Sequence, residues 1–480
     1  MKYQIITILV MVLANISSSR AFNASNHQST LFPCSTNPSS RYPSVDELLT
    51  LQGQEDNVLE WLAETWSHIK PVDGPTTAEE PKPPFCITRD KIADIHQSLQ
   101  CLKRPLNVSE LILKQGYPVE EHSVHTEDGF ILGMQRIPHG RRESKADNCR
   151  RPAVILQHGL FACSSNWVSN LANQSLAFIL ADAGYDVWLG NVRGNTYSRL
   201  HERYKPHQKE FWYWSWDEMG KYDLPAMVDY TLKVTRHREL FYVGHSQGTT
   251  IAFAELSSKH SSLSKKIKLF VALAPVAKVA NIFGVFRSIA ESSLCCFAKD
   301  VLSEVHLYEF LPRTFLVNTL AGETVCAHPK TKFVCEFFFD MMGGYSCAHM
   351  NSSRLPVYVG NNPAGTSIYD VEHYCQMVLS DKFQKYNFGP EENLRRYGRL
   401  VPPLYHPKNI RVPVAFFSGG KDKLADVTDV EWIRRQLGKR LIYDKFLPSY
   451  SHIDFILAID AQEYVYYDII DLFKKFEPDM

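Results

Sequence analysis

Gly244-His245-Ser246-Gln247-Gly248 sets a serine between two glycines at the G-x-S-x-G spacing. A β-branched and aromatic run, Leu240 to Val243, leads into it, and a helical run, Thr249 to Ser257, follows. That context predicts a nucleophile elbow, a strand-to-helix turn that lifts the serine hydroxyl clear of the backbone. So tight a turn leaves no room for a Cβ at Gly244 or Gly248. The helix N-terminus beside Ser246 favours the negative charge that develops during attack on a carbonyl.

A serine hydroxyl is a weak nucleophile and needs a base oriented by an acid. In strand–turn–helix sites of this kind the chain order is serine, acid, histidine. Asp422 follows the apolar run Val412–Phe417 through Ser418-Gly419-Gly420-Lys421, a loop at a strand's C-terminal end. His452 lies in Ser449-Tyr450-Ser451-His452-Ile453-Asp454-Phe455, shortly before the last helical segment. Asp426, Asp429 and Asp454 are rival acids. Asp422 is preferred as the nearest to the strand end, while Asp426 stands about one turn on, where it would cap the next helix. The oxyanion of an acyl-transfer step needs two backbone N–H donors. One is the residue after the nucleophile, Gln247. The other is assigned to Leu160, in the loop Gln157-His158-Gly159-Leu160 that follows the run Ala153–Leu156. His158 is read as shaping that loop rather than as a base.

The elements that must carry these loops alternate along the chain. His122 to Thr126 and Phe130 to Ile137 flank Asp128-Gly129, a hairpin signal. Ala153–Leu156, Tyr185–Leu189, Leu240–Val243 and Leu269–Leu273 read as buried strands, with helical spacing over Leu171–Ala183, Pro225–Val234 and Thr249–Ser257 between them. This alternation predicts a mostly parallel sheet with helices on both faces. It stops after Pro275 and resumes with the strand Val412–Phe417, the helix Val430–Leu437 and a closing helix over Ala461–Phe476. The expected organisation is a core over 106–275 and 411–480, interrupted by a helical cap and lid insertion over 276–410. Residues 22–105 are rich in proline and small polar residues and read as a largely disordered extension around one helical segment.

Composition bounds the rest. The 480 residues are 45% hydrophobic and 22% charged, with 52 basic and 52 acidic side chains, so there is no basic excess to suggest a nucleic-acid partner. The 18 histidines would make the chain cationic near pH 5. Lys2, the apolar run Ile5–Ala14 and Ser19-Arg20-Ala21 read as a signal peptide over 1–21. The run is too short to span a bilayer, which takes roughly 20 residues. Sequons at Asn23, Asn107, Asn173 and Asn351, together with 11 cysteines, agree with export to an oxidising compartment. An odd cysteine count leaves at least one thiol unpaired within the chain.

Long motifs then make a resemblance specific. QHGLFACSSNW, LAFILADAGYDVWLGNVRGNTYSR, DEMGKYDLPAMVDY, YVGHSQGTT, LAPVA, NPAGTS, GGKDKLADVTDV and HIDFILAIDAQ, in this order from about Leu106 to Phe473, resemble the gastric and lysosomal acid lipases. The resemblance implies the α/β-hydrolase fold and a hydrolase of triacylglycerols or cholesteryl esters at acidic pH, without metal or other cofactor. It places nucleophile, acid and base on Ser246, Asp422 and His452, and the oxyanion donors on Leu160 and Gln247. It also implies a lid disulfide between Cys326 and Cys335. The chain departs from the family in its extension, in Lys423 beside Asp422, and in the lid between Phe283 and Cys347. Within the insertion, Phe333, Val334, Phe337, Phe338, Phe339, Met341 and Met342 crowd around Cys335; they read either as a buried cap helix or as a lid that meets lipid. The expected partner is a lipid ester at an oil–water or membrane interface, with no stable protein partner, and the expected location is secreted or lysosomal. The alternatives are an esterase for small soluble esters and an inactive lipid-binding protein on the same scaffold.

Overall fold

A computed structural model describes residues 105–142, 150–291, 302–304, 306–313, 318, 326–327, 335–336, 339, 343–344 and 349–477. The signal segment, nearly all of the extension, the Asn23 sequon and most of the aromatic lid stretch lie outside the described residues.

The chain enters through helix α1 (Val108–Lys114), whose N-cap Asn107 and third residue Glu110 form a reciprocal capping box. Strands β1 (Glu120–His125) and β2 (Phe130–Ile137) pair antiparallel as the hairpin signal predicts. Then follow β3 (Ala153–Gln157), α2 (Leu176–Asp182), β4 (Asp186–Gly190), the two-residue β5 (Leu200–His201), α3 (Leu224–Thr235), β6 (Leu240–His245), α4 (Gln247–Leu256) and β7 (Ile267–Leu273). The sheet resumes with β10 (Val414–Gly419), α9 (Val427–Leu437), β11 (Leu441–Leu447) and α10 (Tyr467–Phe476). Strand order is β1-β2-β4-β3-β6-β7-β10-β11, with β5 attached to β2. From β4 to β11 every pair is parallel. Strands β3, β4, β6 and β10 are buried at every residue, so both faces of the sheet are covered. This is the α/β-hydrolase architecture.

Between β7 and β10 the described chain adds helices α5 (Val285–Glu291), α6 (Leu355–Asn361), α7 (Ile368–Ser380) and α8 (Pro390–Tyr397). It also adds a small antiparallel pair, β8 (Glu309–Phe310) with β9 (Thr366–Ser367). No described helix is long and apolar enough to cross a membrane.

Beyond the two-residue strands β5, β8 and β9, which the sequence reading lacked, three longer elements differ from the expectation. Helix α2 begins only at Leu176, because the stretch before it is held by tertiary bonds: buried Asn170 donates to the Leu457 carbonyl at 2.9 Å. The final helix opens with a π turn over Gln462–Tyr466 before α10 proper. Strand β11 was not anticipated; it lies at the sheet edge, with half-buried and exposed residues alternating along it.

One buried charge network ties the sheet's parts together. Arg193, after β4, is 1% exposed and donates to both carboxylate oxygens of Asp128 at 2.7 and 2.9 Å. Its Nε donates to Asp223 at 2.8 Å, and the Asp223 carboxylate also accepts from the Arg193 backbone N–H at 2.9 Å. The guanidinium lies 4.3 Å from the centre of the Phe130 ring. Asp128 makes the hairpin turn and Asp223 immediately precedes α3, so one side chain joins three elements. Arg193→Ala leaves two carboxylates facing each other without a cation, and should lower unfolding free energy by about 3–5 kcal/mol. Urea denaturation checks this; a loss under about 1 kcal/mol would mean that water reaches both carboxylates.

Candidate active site

The elbow forms because β6 must hand over directly to α4. Ser246 sits at the join with φ 54° and ψ −119°, a left-handed-side conformation rare for a residue bearing a Cβ. Its N–H donates to the Leu273 carbonyl at 3.1 Å, and the hydroxyl of Tyr242 braces the turn by donating to the Gly248 carbonyl at 2.7 Å. A Cβ on Gly248 would lie 2.4 Å from the Gln157 carbonyl oxygen, and one on Gly244 would lie 2.7 Å from the Gly248 backbone. The two glycines therefore let strand, turn and helix close on one another, the steric reason given by the sequence.

Ser246, His452 and Asp422, distant in sequence, meet at the C-terminal ends of β6, β10 and β11. The Ser246 hydroxyl oxygen lies 2.7 Å from Nε2 of His452. Nδ1 of His452 lies 2.9 Å from each Asp422 carboxylate oxygen. With Nδ1–H donating to Asp422, Nε2 is free to accept the serine proton. Asp422 is itself fixed: its Oδ1 accepts from the backbone N–H groups of Leu424 at 2.9 Å and Ala425 at 2.8 Å. Asp422 and His452 are each 3% exposed, so the pair acts in a poorly solvated setting.

The rival acids have other partners. Asp426 caps α9 by accepting from Thr428 N–H at 2.7 Å. Asp429 accepts from the backbone and side chain of Asn281, each at 2.8 Å. Asp454 accepts from the Ser451 backbone N–H at 2.7 Å and its hydroxyl at 2.8 Å, shaping the loop that presents His452.

The two assigned oxyanion donors flank the serine. Gln247 is the first residue of α4, where a helical N–H has no acceptor within the helix. Gly159 runs so close that a Cβ there would meet the Ser246 Cβ at 2.9 Å, and Leu160 comes next. His158 shapes this loop as expected. Its Nδ1–H donates to the Gly159 carbonyl at 2.8 Å, and its Nε2 accepts from Val192 N–H at 3.3 Å and the Asn195 amide at 3.0 Å. Burial pushes its pKa down to about 4, so it stays neutral through most of the acidic range.

Two supporting features were not found from sequence. His245 donates from Nε2 to the His452 carbonyl at 2.8 Å. Burial first, and then the neighbouring His452, push its pKa down to about 3, so it remains a neutral strut. The cap also reaches this loop: the His452 N–H donates to the Gly343 carbonyl at 3.0 Å, and the Ser451 hydroxyl oxygen, whose proton goes to the nearer Asp454, lies 3.1 Å from the Gly344 carbonyl oxygen. Two histidines beside a serine are a weak signal, and which of them contacts the hydroxyl depends on the fold.

Cys326 and Cys335 form a disulfide with Cα atoms 5.7 Å apart. Of the aromatic lid stretch, Phe339 is among the described residues; it is buried and lies edge-on to Tyr358 at 6.1 Å, so this side chain belongs to the cap interior. Asn173 is exposed, while Asn107 and Asn351 are half-buried helix caps. Cys163 is a buried free thiol.

A parallel sheet with an elbow serine hydrogen-bonded to a histidine–carboxylate pair defines the class, an α/β hydrolase. Two family models agree. A partial alpha/beta-hydrolase lipase region matches residues 108–171, and the alpha/beta hydrolase fold matches residues 152–289. The chain is 46% identical over 374 residues to gastric triacylglycerol lipase of Homo sapiens, covering 77% of this chain and 91% of that protein. It is 44% identical over 373 residues to lysosomal acid lipase/cholesteryl ester hydrolase of Homo sapiens, covering 78% of this chain and 92% of that protein. Lipase member K of Homo sapiens is 42% identical over 372 residues, with 77% and 91% covered. The chain belongs to the gastric and lysosomal acid lipase family.

Proposed function

We propose that this chain is a serine lipase that hydrolyses the carboxylic esters of neutral lipids, triacylglycerols and cholesteryl esters, at acidic pH. The observation that carries the reading is the continuous relay Ser246–His452–Asp422 in a chain nearly half identical to gastric triacylglycerol lipase across almost all of that protein. In this reading Ser246 Oγ attacks the ester carbonyl while His452 Nε2 takes its proton. Asp422 holds the imidazole in the required tautomer and balances the imidazolium. The backbone N–H groups of Leu160 and Gln247 bind the oxygen as it becomes anionic. His452 then returns the proton to the departing alcohol, leaving an acyl-enzyme on Ser246. Water, deprotonated by the same histidine, releases the fatty acid.

The N-terminal run Ile5–Ala14 with its small-residue cleavage pattern supports export, to the outside of the cell or to the lysosome that the name of one relative carries. Rates on emulsified triacylglycerol, emulsified cholesteryl ester and a short dissolved ester, measured from pH 4 to 8, test the proposal. Emulsified neutral lipid should be turned over faster at pH 5 than at pH 8. Activity confined to the dissolved ester would overturn the lipase reading and leave a soluble-ester hydrolase.

A further inference from the structure

One short cap segment bears on both candidate oxyanion donors. The Ala364 N–H donates to the Phe161 carbonyl at 2.7 Å, one residue after Leu160. Six residues on, the carboxylate of Asp370 accepts from the side-chain amide of Gln247 at 2.8 Å. Asp370 is fully buried in the first turn of α7, and its Oδ2 also accepts from the Thr366 hydroxyl at 2.8 Å. The segment is anchored to the core between these points. Ala364's carbonyl accepts from Thr196 N–H at 3.1 Å, and the Ser367 hydroxyl donates to the Trp212 carbonyl at 2.5 Å.

We infer that Asp370 is a positioning residue for ester hydrolysis: by holding the Gln247 side chain, it fixes the aim of the Gln247 backbone N–H at the oxyanion. The inference rests on the proposed role of Gln247. The first turn of a helix is the part most free to fray, because its N–H groups lack helical acceptors. A donor helps only if it lies within hydrogen-bond reach of the oxygen in the transition state, and small misplacements are costly. Tethering the Gln247 side chain to the cap removes that freedom before substrate arrives. The tether also suits an acidic setting. Burial pushes the Asp370 carboxyl up to about 7, with Glu218 adding to the rise and Gln247, Thr366 and the Trp216 backbone opposing it. At pH 5 the group is therefore mostly neutral and sets little negative charge behind the forming oxyanion.

The test compares Asp370→Ala, Asp370→Asn, Gln247→Met and the double variant Asp370→Ala/Gln247→Met in the full chain, using a dissolved ester and an alkylboronic acid that mimics the tetrahedral intermediate. Active sites are counted by phosphonate labelling of Ser246. Asp370→Ala and Gln247→Met should each lower kcat about tenfold to a hundredfold, with little change in KM, and weaken boronate binding by the same factor. Asp370→Asn, which still offers an acceptor to Gln247, should stay within about threefold of wild type. The double variant should be no worse than either single one, because both remove one interaction. If Asp370→Ala fails to fold, Gln247→Met, which keeps the backbone N–H and the side-chain bulk, carries the test. Unchanged kcat and boronate affinity per labelled site, or losses that multiply in the double variant, would overturn the inference while leaving the proposed function standing. A wild-type chain that is not labelled at Ser246 would overturn both.

Discussion

Ser246→Ala should fold like the wild type and lose about five to six orders of magnitude in ester turnover. The serine hydroxyl is the group that Nε2 of His452 contacts, at 2.7 Å, so removing it leaves the base with nothing to deprotonate but water. The backbone donors remain, and residual catalysis over the uncatalysed rate should be what such donors and binding supply alone, about a thousandfold. Stability should hardly move. Alanine meets the same backbone strain at φ 54° that serine already bears, since both carry a Cβ. The Ser246 N–H bond to Leu273 and the glycine contacts that close the elbow are untouched. Initial rates on a dissolved ester, with a thermal melt of the same sample, check both halves of the expectation. Turnover above about one hundredth of wild type would remove Ser246 from the mechanism.

The parts of this site that were legible in the sequence are those whose residue types are dictated locally. An elbow demands small neighbours around its serine, so Gly244 and Gly248 announce it. Buried parallel strands need unbroken apolar runs, so β3, β4, β6, β7 and β10 are visible; the loops after β3 and β10 point to Leu160 and Asp422, and the chain order serine, acid, histidine points to His452. What was hidden depends on contacts across the fold. Asp370 meets Gln247 across 123 positions, and His245 meets His452 across 207. Neither has a spacing that marks it, because burial and a partner are properties of the assembled core. Strand β11 was hidden for a different reason. As an edge strand it shields only alternate side chains, and its sequence LIYDKFL places Asp444 and Lys445 mid-strand, which reads as loop. Helix α2 was drawn too long because apolar spacing says where a helix is allowed. Asn170, committed to Leu457, is part of what holds the preceding chain out of the helix.

Asp422→Asn should lower turnover about ten-thousandfold, whereas Asp426→Asn should change it by less than about twofold. The difference lies in how each carboxylate is held. Oδ1 of Asp422 accepts from two backbone N–H groups, Leu424 and Ala425, and an asparagine here can satisfy them only by placing its carbonyl oxygen at that position. Its NH2 then occupies the place of Oδ2, which lies 2.9 Å from Nδ1 of His452. Nδ1 then stands 2.9 Å from an amide donor as well as from the retained oxygen, whose acceptor capacity is already taken by two backbone N–H groups, so the ring favours the tautomer in which Nδ1 accepts and the proton sits on Nε2. The imidazole then presents N–H to Ser246 and cannot take its proton, and no negative charge remains to balance an imidazolium. The backbone amides that make Asp422 a well-fixed acid therefore enforce the wrong tautomer in the variant. Asp426 accepts from Thr428 N–H at the start of α9, a role asparagine fills about as well as aspartate. Its substitution should shift stability by only a few tenths of a kcal/mol. Steady-state kinetics on a dissolved ester, with both variants normalised to folded protein, measure the contrast; the reverse ranking would move the acid's role from Asp422 to Asp426.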